Sequence, residues 1–416
     1  MLSLVSVPPK NINLYKNLVK QSLLKEIESA SKKLQKKKII FINSTSQGGG
    51  VAEIMQGIIP LMQGLKIDAQ WFVIPPNKEF FNLTKQIHNA LQGKLSAFKK
   101  QQKDFYCQYL KKVASQMSNM EADLWLIHDI QPLGLISFLP NIHPVISHIH
   151  IDTSNPYVPV WSFIKTFLSK YDRIIFSNKN FIHQGLPKNR IRIFPPGIDP
   201  LSKKNKKLDL AKAKKILSKV GINTKKPLIS QVSRFDPWKD PLGVINIYRT
   251  VQNKFPDVQL ALVGIFLAKD DPEAEKIYQQ VKNKVKEDKN IFLFSNLKQL
   301  PKDVDLDTFI NAVQTASDVI IQNSKKEGFG LSCTEAMWKE NVVVARPVGG
   351  LKIQIQDKKS GFLAENPKQI AQQIIRILEN PDLKKKIGKA AKQRVQERFL
   401  IIHLLRNYLK LFNELI

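Results

Sequence analysis

Short apolar runs bounded by polar turns recur along this chain, and amphipathic stretches separate them. Lys38-Ile39-Ile40-Phe41-Ile42-Asn43 reads as a strand. Gly48-Gly49-Gly50 follows, and Val51-Ala52-Glu53-Ile54-Met55 begins an amphipathic helix. Ala69 to Ile74 is the next strand, so strand, glycine turn, helix and strand make one βαβ unit. Residues 12–38 read as helical and lysine-rich, and residues 83–119 as mainly helical. Further strands are predicted at 124–127, 145–150 and 173–176. Around Phe194-Pro195-Pro196-Gly197-Ile198-Asp199-Pro200 the pattern breaks, and a lysine-rich segment, 203–226, follows.

The alternation then resumes. Strands are predicted at 227–232, 258–264, 290–294, 319–322 and 342–345, with helices at 241–254, 309–316, 332–339, 367–379 and 382–397. Two consecutive βαβ-rich halves predict an α/β chain of two doubly wound domains, 1–200 and 201–397, facing across a cleft. In such sheets ligands bind beyond the carboxyl ends of the strands.

Size and composition fit this reading. A chain of 416 residues, 43% hydrophobic, can build two ordinary cores. Two cysteines, Cys107 and Cys333, form neither a disulfide framework nor a zinc pattern, and fit a reducing compartment. The first residues lack the order of a signal peptide, and no segment reaches the roughly 18 apolar residues of a spanning helix. The expectation is a soluble, cytoplasmic protein. The net charge of +30 invites a nucleic-acid reading, but the lysines are scattered and lack interleaved aromatic or Arg-rich patterns. No nucleic-acid partner is expected. A weak contact with an anionic membrane and a homodimer stay open.

Candidate chemistry gathers at predicted strand ends. Glu327 and Glu335 stand eight positions apart across Gly328-Phe329-Gly330-Leu331, a turn that runs into a helix. The helix N-terminus offers free N–H groups to an anion, and the carboxylates can grip sugar hydroxyls. Thr334, Ala336, Met337 and Trp338 around Glu335 suggest burial, and a buried carboxylate needs a partner. Arg234 and Lys239 follow another strand end, with Asp236-Pro237 forcing a turn between them. Together they could clamp a diphosphate; alone, two solvated cations are the plainer reading. Gly48-Gly49-Gly50 lacks the dinucleotide fingerprint and the P-loop lysine, which argues against a dehydrogenase or an ATPase. His128-Asp129 and His150-Ile151-Asp152 end strands of the first half and are candidates for sugar contacts. No metal-ligand spacing is recognisable there.

These residues resemble a family. Glu327-x7-Glu335 with Gly328-Phe329-Gly330 is similar to retaining glycosyltransferases of the two-Rossmann (GT-B) architecture. Gln231 to Lys239, with its Phe235-Asp236-Pro237-Trp238-Lys239 string, and Thr334-Glu335-Ala336-Met337-Trp338-Lys339 narrow the likeness. So do Ser46 to Ile54, His150-Ile151-Asp152 and Val348-Gly349-Gly350-Leu351-Lys352. Together they resemble the trehalose synthase (glycosyltransferring) and trehalose phosphorylase group, from about residue 35 onward.

The resemblance implies transfer of glucose between a nucleoside diphosphate and free glucose, forming or cleaving trehalose. The substrates would be a nucleoside-diphosphate-glucose and glucose or trehalose, with no cofactor and no metal. Arg234 and Lys239 would bind the donor diphosphate, Glu327 and the Gly328–Leu331 backbone the hexose and phosphate, and Glu335 the ribose. Gly49 and Gly50 would line the donor side. His150 would contact the donor glucose, with Asp152, His128 and Asp129 on the acceptor side. Residues 398–416 would form a helix packing back on the first domain. A phosphorylase releasing glucose 1-phosphate is the nearest alternative; a different retaining hexosyltransferase, and a basic binding protein that keeps the fold without activity, are the others. Two positions depart from the family pattern. Glu340-Asn341 stands where a glycine is common, and Ile130 where proline is expected, with a change of acceptor specificity as its expected consequence.

Overall fold

The predicted strands form because each run is short, rich in β-branched residues and flanked by turn formers. The computed structural model describes residues 2–139, 141–265, 274–286 and 288–416. It divides into two compact units, Met1–Gly197 with Ile401–Ile416, and Ile198–Leu400.

The described residues of the first unit hold a seven-stranded sheet. Its strands are β1 (Ser3–Val5), β2 (Lys38–Asn43), β3 (Asp68–Val73), β4 (Leu124–His128), β5 (Val145–Ile149), β6 (Arg173–Phe176) and β7 (Ile191–Ile193). Their order is β1-β3-β2-β4-β5-β6-β7, parallel except that β1 runs antiparallel to β3. The winding starts at β2 and goes one way to β3 and the other way to β4, so it reverses between β2 and β4. One face packs Ile40, Ile42, Trp125, Ile127 and Ile149 in a core with residues of helices Lys78–Leu91, Lys100–Ala114 and Val158–Leu168. The alternate side chains, among them Phe41 and His148, meet Tyr408 of helix Ile401–Asn413. That helix buries a continuous apolar stripe, and Asn413 Nδ2 donates to the Ala30 carbonyl at 2.8 Å.

In the second unit the described strands are β8 (Leu228–Val232), β9 (Gln259–Val263), β10 (Ile291–Phe294), β11 (Val319–Gln322), β12 (Val342–Ala345) and β13 (Phe362–Leu363). They form a parallel sheet in the order β10-β9-β8-β11-β12-β13. This is the dinucleotide-fold order, and its reversal lies between β8 and β11.

Some predicted elements change. The lysine-rich stretch 12–38 contains one α-helix, Gln21–Ser31, flanked by short 3-10 turns. Its apolar positions Leu23, Leu24 and Ile27 are buried at helical spacing, while Asn11 caps the earlier turn through its side chain. Residues 83–119 fall into two helices because the chain turns at Gly93, whose φ of +96° favours glycine. Segment 203–226 contains helix Leu210–Ser218, which Asp209 caps by accepting from Ala211 and Lys212 N–H. Glu340 adopts φ +61°, which explains why a glycine suits that position. Ile130 is fully buried in the first core, so it does not line the strand-end site. No helix among the described residues is long and apolar enough to cross a membrane.

Candidate functional site

In the second unit the polar groups gather where the winding reverses. The loop after β8 and the loop after β11 are tied together: Lys325 N–H donates to the Trp238 carbonyl at 2.7 Å, and Asn323 Nδ2 donates to Asp240 Oδ2 at 2.9 Å. Asp236 closes the first loop by accepting from Trp238 N–H at 2.8 Å. Asp240, at φ +49°, caps helix Pro241–Gln252. This frame sets Lys239 against Glu327. The Lys239 ammonium donates to both carboxylate oxygens at 2.6 and 2.5 Å, and Ser324 Oγ donates to Oε2 at 2.9 Å. Glu327 is 6% exposed, so its charge needs this partner. Arg234 is more exposed, with its guanidinium 3.7 Å from Asp236.

Gly328, Phe329 and Gly330 carry the chain from Glu327 into helix Leu331–Trp338. Gly330 caps it at φ +88°, and the Gly328 carbonyl accepts from Gly350 N–H at 2.9 Å. A Cβ on Gly349 would lie 1.7 Å from the Glu327 carbonyl, so backbones meet here too closely for a side chain. Gln354 Nε2 bonds the Phe329 carbonyl at 2.5 Å and braces the turn. The first N–H groups of the helix, beginning at Leu331, have no acceptor within it.

Glu335 does have protein partners. Lys204 Nζ lies 3.6 Å from Oε1, and Gln314 Nε2 lies 3.4 Å from Oε2. Lys339 donates to Asn205 Oδ1, Gln314 Oε1 and the Glu335 carbonyl at 3.1, 2.9 and 3.3 Å. Trp338 Nε1 donates to the Asn205 carbonyl at 3.0 Å. Trp338 and Lys339 therefore tether the segment that brings Lys204 to Glu335. Burial lowers the Lys339 ammonium to about 7.

In the first unit the glycine loop follows β2, on one side of the reversal. Gly48 has φ +78°, and Gly49 precedes helix Gly50–Gly64 in an extended conformation. A Cβ built on Gly49 meets nothing within 4 Å. Packing does not demand glycine there, whereas close approach of a ligand would.

Beyond the reversal, β4 and β5 align His128 with His148. His128 Nδ1 and His150 Nε2 lie 3.0 Å apart, and the His148 and His150 rings stack at 3.9 Å. Asp129, at φ +59°, accepts the His150 N–H at 2.7 Å. The left-handed turn thus fixes the backbone of His150. Burial lowers His150 to about 3 and holds His128 and His148 well below the usual imidazole range, so all three are neutral near pH 7. Burial raises Asp129 to about 7. Asp152 is 7% exposed and accepts from Ser154 N–H at 3.0 Å. His128 is 1% exposed, behind His150 rather than at the surface.

Among the described residues these three histidines have ligand atoms within 4.8 Å of one another. The stacked rings of His148 and His150, only 24° from parallel, run their in-plane lone pairs side by side rather than converging on one ion. The arrangement is an imidazole stack. His148 and Lys204 had not stood out in the sequence. The two-residue spacing of His148 and His150, which puts both on one face of a strand, was the available signal for the first.

The comparisons give the family and the fold. Residues 41–183 match the model of the trehalose synthase N-terminal domain, and residues 212–394 that of glycosyl transferases group 1. The chain is 42% identical to a trehalose synthase of Thermococcus litoralis, a match taking in 97% of each chain. It is 36% identical to a trehalose synthase of Rubrobacter xylanophilus over the full length of both. A solved structure, Anabaena HepE in complex with UDP-glucose, superposes with a TM-score of 0.67 at 18% identity, covering 91% of this chain and all of that one. The fold is the two-domain GT-B fold of glycosyltransferases.

Proposed function

Because this chain belongs to the trehalose synthase family of glycosyltransferases, we propose that it moves glucose from a nucleoside-diphosphate-glucose to free glucose, forming trehalose reversibly with the anomeric configuration retained. The observation that carries this reading is the Lys239–Glu327 pair at the β8/β11 reversal, with Arg234 on the same loop.

Each group then has a task. The donor diphosphate takes the cations, Arg234 through its planar fork and Lys239 as a point charge. Lys239 leaves Glu327 for the phosphate, and Glu327 turns its oxygens to the hexose hydroxyls. The Gly328–Leu331 backbone supports the sugar and phosphate. Glu335, oriented by Lys204 and Gln314, accepts from the ribose diol. Stabilising the departing diphosphate is the largest catalytic contribution. Arg234 and Lys239 supply the positive charge, and no metal takes part.

Gly49 and Gly50 approach the donor, and His150 meets the glucosyl group as a neutral hydrogen-bonding ring. Asp152, Asp129 and His128 shape the acceptor side. We assign the reaction a route without a carboxylate nucleophile. In that route the diphosphate leaves and glucose attacks from the same face, and the leaving phosphate takes the acceptor's proton.

The test is trehalose with orthophosphate and no nucleotide. The proposal expects no glucose 1-phosphate. Its release would assign the cation site to orthophosphate and make the protein a phosphorylase.

A further inference from the structure

His150 belongs to a closed ring of aromatic contacts within the first unit. Tyr408 bonds His148, His148 stacks on His150, His150 bonds His128, His128 stacks on Phe41, and Phe41 packs edge-on against Tyr408. Phe41, His148 and Tyr408 are 0% exposed and His128 is 1% exposed. His150 is the member that reaches the surface.

The tautomer of His148 follows from this burial. Tyr408 Oη and His148 Nδ1 are 2.6 Å apart. Burial raises the Tyr408 hydroxyl well above its ordinary value, so it keeps its proton. Among the described residues Tyr408 makes no other hydrogen bond and His148 Nε2 has no partner, so either tautomer leaves one buried donor unmet. The 2.6 Å contact favours the more acidic phenol donating to the more basic imidazole nitrogen. Tyr408 therefore donates to Nδ1, and His148 is held with its proton on Nε2. The His148 ring then lies against His150 in one orientation.

We propose that Tyr408 and His148 are positioning residues for His150. The final helix reaches through His148 to fix the plane in which the His150 imidazole meets the donor glucosyl group. This rests on the role of His150 proposed above.

The experiment compares Tyr408→Phe, His148→Phe, the double variant and His150→Ala in trehalose formation from the nucleotide-sugar and glucose, well below each melting temperature. Tyr408→Phe and His148→Phe are each expected to lower kcat about tenfold with donor KM moved less than about threefold, and the double variant to be no worse than either. Wild-type kcat in Tyr408→Phe, with His150→Ala impaired, overturns this proposal alone. Wild-type turnover in His150→Ala overturns the role of His150 as well. A second measurement does not depend on activity: nitrogen NMR of labelled histidine should show His148 protonated at Nε2, with that preference relaxing in Tyr408→Phe. A proton on Nδ1 in the wild-type protein contradicts the proposal.

Discussion

Both sheets keep their polar groups at strand ends beside the reversal of winding, yet they handle charge in opposite ways. The second unit keeps full charges and cancels them in pairs, Lys239 with Glu327 and Lys204 with Glu335. The first unit buries three imidazoles until they are neutral and closes them into a ring stack. On the proposed reading a diphosphate draws the Lys239 ammonium, and the buried Glu327 carboxylate keeps its Ser324 bond and needs sugar hydroxyls in place of the lysine. A neutral stack suits hydroxyl groups, which need direction more than charge. The two sites thus differ in the chemistry they offer a ligand, paired charge in the second unit and directed neutral groups in the first.

The strongest way to break this division is to remove a cation. Arg234→Ala is expected to lower kcat about 10³-fold, because stabilisation of the departing diphosphate is lost. Steady-state assays with saturating donor check this, and a loss confined to KM would make Arg234 a binding group only. On the neutral side, His150→Ala is expected to lower kcat about 10²-fold while leaving affinity for the free nucleoside diphosphate unchanged. Calorimetric titration separates the two. Weaker nucleotide binding in this variant would erase the contrast.

Glu335→Gln sharpens the charged side. It should raise the donor KM about tenfold with kcat nearly kept, since a ribose contact is made equally in ground and transition states. A nucleotide lacking both ribose hydroxyls should bind wild type and variant alike.

A further prediction concerns Asp129 and is read in stability rather than turnover. Burial raises its carboxyl from 3.8 to about 7, so between these values the folded protein holds a proton that the unfolded chain has released. Its contribution to stability is complete below the lower value and is lost as pH rises through the upper one. The difference in unfolding free energy between wild type and Asp129→Asn should fall across that window, by up to about 1.4 kcal/mol per pH unit. Urea unfolding at several pH values checks it, and a flat difference would mean an ordinary carboxyl.

The charged side was the more legible in sequence. Lys239 and Glu327 follow apolar runs whose periods mark them as strands, and β11 and β12 keep their predicted bounds. The rule that strand ends carry sites put both in one candidate site, but their ion pair follows only from β8 lying beside β11. Lys204 was hidden in a lysine-rich segment, where nothing local separates one lysine from the next. The neutral side depends on register: His128 meets His148 only because β4 pairs with β5, and Tyr408 lies 260 positions from His148. The edge strands β1, β7 and β13 have two or three residues, too few to show a period.

The most direct measurement is a donor screen. ADP-, UDP- and GDP-glucose are each supplied with glucose, without orthophosphate, and the product is followed by proton NMR. The account predicts α,α-trehalose from at least one donor, in step with release of its nucleoside diphosphate. No disaccharide from any donor, under conditions where trehalose and orthophosphate yield glucose 1-phosphate, would contradict it.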